Sequence, residues 1–217
     1  MVRKAGTFLA VAGSLALAVA AVPQFQKEYA TVLFSRLTES QQFAALTETG
    51  ISLPPSVRSE RIVLQACEAS MRSVLALFQA QTRREALRGN CAGLANAASA
   101  RAPTSSLAQL LVASTAPNDA EFSRALAVSQ ATGAFEGDLA QRRFVLAADR
   151  IDRLAPEALA ALTADITLLV QFPAGRSLVA ERYLALPGAR EVMTEAIERA
   201  PEQSQKAFIA AVRGAGR

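Results

Sequence analysis

Cys67 and Cys91 are the only cysteines in a chain of 217 residues that contains no histidine. Two thiols with no imidazole nearby have two options: to stay reduced in a core, or to join as one disulfide. The absence of histidine removes the commonest general base and the commonest transition-metal ligand. It therefore excludes a Ser-His-Asp hydrolase, a His-ligated zinc site and a His-ligated haem. Carboxylates remain. Asp149 with Asp152, or Asp165 with its neighbours, is the kind of pair that glycoside hydrolysis uses. No aromatic residue accompanies them in sequence to stack a sugar ring, and acids at i and i+3 on a polar helix face are ordinarily just solvated. Arg83, Arg84 and Arg88 form a basic cluster that suits a partner's carboxylates or an acidic polymer, and a second group is Arg142, Arg143, Arg150 and Arg153. No Gly-rich phosphate loop, nucleotide motif or metal-spaced cysteine set is present. The expectation is a protein without catalytic residues, cofactor or metal.

The elements that must position these residues read as helices throughout. Half of the residues are apolar, with only 6% aromatic and no Trp. β-branched runs are few and alternation is almost absent, which points to an all-α fold. Apolar residues recur at helical spacing from Ser59 to Phe78 and from Thr82 to about Ser99, where Thr82 and Glu85 have capping-box spacing. Folding these two segments together about residues 79 to 81 brings residues 67 and 91 level, since their midpoint is residue 79. Both lie on the apolar stripes, so the pairing predicted is Cys67 with Cys91. Further helices are predicted over 105–114, 118–133 with Asn118 as cap, and 135–154. Another begins at Pro156, and shorter ones follow over 175–186, 189–199 and 201–213. Short Pro-marked turns suggest stacked antiparallel hairpins.

The beginning of the chain sets the compartment. MVRK precedes residues 5 to 22, which carry no charge; at 1.5 Å per residue these 18 residues reach about 27 Å, the short end of a bilayer span. The segment reads as a membrane anchor or, alternatively, as a cleaved secretory signal with Ala18-Val19-Ala20 as the cleavage candidate. In both readings Arg3 and Lys4 stay in the cytoplasm and the body is exported, where paired cysteines oxidise. Without Arg3 and Lys4, 21 basic residues face 19 acidic ones, too even a balance for a nucleic-acid footprint. The expected layout is an anchor or signal over 1–22, an amphipathic stalk and a Pro-rich linker over 23–58, and a helical body over 59–217.

The order of features in the body, Ala102-Pro103, Ala125-Leu126 with Ser129, Glu136-Gly137 with Leu139 and Arg143, then Asp165, resembles the membrane-anchored, tetratricopeptide-like accessory proteins of bacterial exopolysaccharide biosynthesis. The likeness extends loosely over 60–213. The usual tetratricopeptide pattern carries Trp, Gly and Tyr on its first helix; here Trp is absent and the tyrosines are Tyr29 and Tyr183, so the repeat is a divergent one. The resemblance implies a non-catalytic scaffold on the periplasmic face of the inner membrane, with inner-membrane proteins of polysaccharide assembly as partners. The alternative is an accessory subunit of another inner-membrane complex, energy-transducing or secretory.

Overall fold

A computed structural model describes the backbone of residues 2–48 and 51–215 and the side chains of 19–48 and 51–215. Most of the apolar run 5–22 and Gly50 thus lie outside the residues described in full. Helices account for nearly all the regular structure, and no strand occurs among the described residues. The all-α expectation holds. The chain divides within one long helix, between Leu94 and Ala95, into two compact units.

The first unit contains α1 (Val2–Ser35), α2 (Glu39–Glu48), α3 (Val57–Arg72), the single-turn α4 (Val74–Leu77) and the greater part of α5 (Gln81–Arg101). Among the described side chains of α1, Thr31 and Phe34 near its end are buried, and residues 19–27 are all exposed. Among the described residues no helix is long and apolar enough to cross a membrane. Phe43 and Leu46 of α2 and Val63, Leu64 and Cys67 of α3 are buried, as are Leu87 and Cys91 of α5. Residues 51–56 carry no helix, as their prolines require, yet they are not a free linker: Pro54 is buried and the backbone N–H of Ser56 donates to Glu28. Ser73 ends α3 and caps α4 in one residue, its hydroxyl accepting from the Ala76 N–H. The expected capping box at Thr82 does not form. The helix starts at Gln81, and Glu85 accepts from the Gln81 side chain.

The second unit holds the rest of α5, then α6 (Ser106–Thr115), α7 (Asp119–Thr132), α8 (Gly137–Ala147), α9 (Pro156–Leu169), α10 (Pro173–Ala185), α11 (Arg190–Glu198) and α12 (Glu202–Ala215). Asn118 caps α7 as predicted, its side chain accepting from the Glu121 N–H at 2.8 Å. The continuous helix expected over 135–154 is instead α8 followed by a 3₁₀ segment, Ala148–Arg153, where Arg150 leaves helical geometry at φ −126°. Helix α9 occupies the middle, in contact with α7, α8, α10 and α11. Its buried residues, Ala158, Ala161, Leu162, Asp165, Ile166 and Leu169, form one broad face, with Thr163 buried beyond it.

Candidate functional site

The most concentrated polar chemistry lies inside the second unit. Arg143 of α8 and Asp165 of α9 meet as a two-pronged ion pair, Nε to Oδ2 and Nη2 to Oδ1, both at 2.7 Å. Their side chains are 0% and 1% exposed. The guanidinium also donates to the carbonyls of Ser129 at 3.3 Å and Gly133 at 3.2 Å. The Ser129 carbonyl also accepts from the Gly133 N–H at 3.1 Å and the Gly133 carbonyl from the Glu136 N–H at 3.2 Å, so the guanidinium adds a second donor to each, at the C-terminal end of α7 where a cation also suits the helix dipole. Ser129 donates to the Ser106 carbonyl at 2.8 Å, and the Ser106 hydroxyl donates to Glu136 at 2.9 Å. Gly133 must be small: a Cβ there would lie 2.7 Å from Cβ of Ser106. One network thus joins α6, α7, α8 and α9 through Ser129, Glu136, Arg143 and Asp165, residues that also carry the family resemblance.

This arrangement joins the helices through a buried, fully paired network. Both oxygens of Asp165 face Arg143. Burial pushes its carboxyl above the usual aspartate range, and the hydrogen bonds and charge of Arg143 pull against that. Asp149 does not form a working pair with Asp152; it is exposed and bound by Arg182 at 3.3 Å. Among the described residues no cluster of three His, Cys, Asp or Glu side chains could hold a metal ion.

In the first unit, the structure disperses the arginine cluster. Arg83 donates to Glu48 at 2.6 Å and to Gln79 at 3.1 Å, and its guanidinium lies 5.9 Å from the centre of the Phe43 ring. It clamps α2 onto α5. Arg84 and Arg88, one turn apart, remain exposed on α5. Cys67 and Cys91 come together at disulfide distance, 2.09 Å between sulfurs and 5.7 Å between Cα atoms, with both residues buried. Beyond them the hairpin ends in an apolar tip: Val74, Leu77 and Phe78 are 68%, 72% and 82% exposed. Helical spacing from Ser59 to Phe78 puts Val74 and Phe78 on a buried stripe. The intervening Ser73 breaks α3 and turns α4 so that only Ala76 is buried.

Glu28 fastens α1 to α3. Its Oε1 accepts from the Ser56 N–H at 2.8 Å; its Oε2 accepts from the Ser56 hydroxyl at 3.0 Å and from the Ser59 hydroxyl. These bonds, that of Ser59 foremost, hold its carboxyl below the usual glutamate range. Ser56 is itself the cap of α3, accepting from the Ser59 N–H. Comparison with protein families, with curated proteins and with solved structures gives no match to the chain.

Proposed function

We propose that this protein is a non-catalytic helical adaptor, held at the periplasmic face of the bacterial inner membrane by its first helix and working by contact with other inner-membrane proteins. The observation that carries this reading is the free stretch of α1. Residues 19–27 are exposed, including Val19, Val22 and Phe25, and residues 19–22 complete the apolar run that begins at residue 5. An apolar helical stretch whose described side chains, Val19 to Val22, are uncovered fits a lipid environment better than water. The exported compartment also suits the Cys67–Cys91 pair. The exposed apolar tip at Val74, Leu77 and Phe78, with Arg84 and Arg88 farther along α5, supplies a contact surface. A divergent tetratricopeptide-like stacking of the second unit, and a role in surface-polysaccharide synthesis or export, are what the family resemblance adds.

Two measurements test the reading. In a bacterial host the full chain should sediment with membranes, resist carbonate extraction, and become protease-sensitive only when the outer membrane is opened. Photo-crosslinking from position 78 in intact cells should then capture an inner-membrane partner. A polysaccharide-assembly protein supports the resemblance, a secretion or energy-transducing component supports the alternative, and recovery of the chain alone overturns the adaptor reading.

A further inference from the structure

The chain meets the bilayer with more than its first helix. Counting from Val22, the last residue of the apolar run, Phe25 lies about 4.5 Å farther along α1 and Glu28 about 9 Å, at 1.5 Å per residue. The headgroup layer on each side of a bilayer is roughly 5–8 Å thick. Phe25 therefore falls within it and Glu28 at its outer edge. Phe25 and Tyr29 are one turn apart with stacked rings, 6.3 Å between centres, and both are exposed. Ring pairs with an apolar body and, in Tyr, a polar end favour this layer.

Glu28 brings a second segment to the same level. Its three hydrogen bonds hold Ser56 and Ser59 against α1, and the residue between them in the first turn of α3, Val57, is 82% exposed. Lys27 and Arg58, each next in sequence to a member of the set, are exposed cations; the one nearby acid on the first turn of α3, Glu60, is buried. Apolar side chains flanked by cations suit the boundary of an anionic phospholipid surface.

We infer that Phe25 of α1, in the headgroup layer of an anionic bilayer, and Tyr29 and Val57, at the outer edge of that layer and joined through Glu28, form one platform, so that the first unit is seated on the membrane without a flexible stalk. This rests on the tether reading above and adds the seat to it. The chain contains no Trp, so Phe25→Trp and Val57→Trp each give a single fluorescent reporter at an exposed site that tolerates the larger ring. The full chain carrying either one is reconstituted into phosphatidylethanolamine–phosphatidylglycerol vesicles, with a fraction of the lipid bearing a headgroup nitroxide. Both reporters should emit to the blue of free N-acetyltryptophanamide, be quenched by the nitroxide, and be shielded from aqueous iodide. Adding Glu28→Gln should expose the reporter at 57 to iodide while that at 25 stays shielded. If the chain floats with the vesicles but the reporter at 57 is as open to iodide as the free compound, the seat is wrong and the tether stands. If the chain does not float with the vesicles, both fall.

Discussion

Two buried or half-buried carboxylates make opposite demands on their partners. Asp165 gains little from ionising in its pocket, but Arg143 has no other acid to meet. Removing one member leaves the other charge buried and unpaired, which costs about 3–5 kcal/mol, whereas replacing both with apolar residues of similar volume is often neutral. Asp165→Ala should therefore sharply lower the midpoint of urea unfolding. Arg143→Met with Asp165→Leu should recover most of the loss, a non-additivity that a double-mutant cycle reads directly. Glu28 behaves in the reverse sense with pH. Its carboxyl is held low in the fold, so its contribution to stability is present above the ordinary glutamate value of about 4.3 and disappears as pH falls through the lower folded value. An acid titration of thermal stability should show this loss in the native chain and not in Glu28→Gln. Asp165, raised in the fold, contributes with the opposite slope, its share declining as pH rises through its folded value.

At the scale of elements, the hairpin of α3 and α5 depends on its cross-link more than on its tip. The bond closes a loop of about 25 residues, for which chain entropy in the unfolded state gives about 3–4 kcal/mol. Cys67→Ala should lower the melting temperature by the same amount as a reductant does in the native protein, and the reductant should have no further effect on the variant. A different amount would mean that the packing around Cys67, 0% exposed, dominates. Leu77 and Phe78, by contrast, bury little. Leu77→Ser with Phe78→Ser should leave the melting temperature almost unchanged, since exposed substitutions ordinarily shift stability by about 0.5 kcal/mol or less.

For the molecule as a whole, the division near Leu94 assigns these two devices to different units: the disulfide to residues 1–94 and the Arg143–Asp165 network to 95–217. Each unit has its own buried side chains, Phe43, Leu46 and Leu64 in one and Phe122, Phe144, Leu162 and Ile166 in the other. Calorimetry of the intact chain should resolve two transitions. Reductant should shift one and Asp165→Ala the other. A single transition shifted equally by both would mean that α5 couples the units into one cooperative body.

The letters alone were enough for the all-helical character, for most helix boundaries and for the cysteine pairing, because these follow from local signals: spacing of apolar residues, Pro at Pro156, a cap at Asn118, and two thiols equidistant from a turn. In the sequence Arg143 is one of a group of arginines and Asp165 a candidate carboxylate, and their meeting depends on how α8 packs on α9. The same holds for Arg83, an exposed helical cation by spacing, which packing turned towards Glu48 and Phe43, and for Phe78, whose apolar character says nothing of the break at Ser73 that leaves it in solvent. Glu28 gave no signal, since its partners lie 28 and 31 residues away. Helical periodicity fixes which side of an element is apolar; which charge faces which, and which apolar side chain is left uncovered, are set by contacts between elements distant in the chain, and these only the folded arrangement decides.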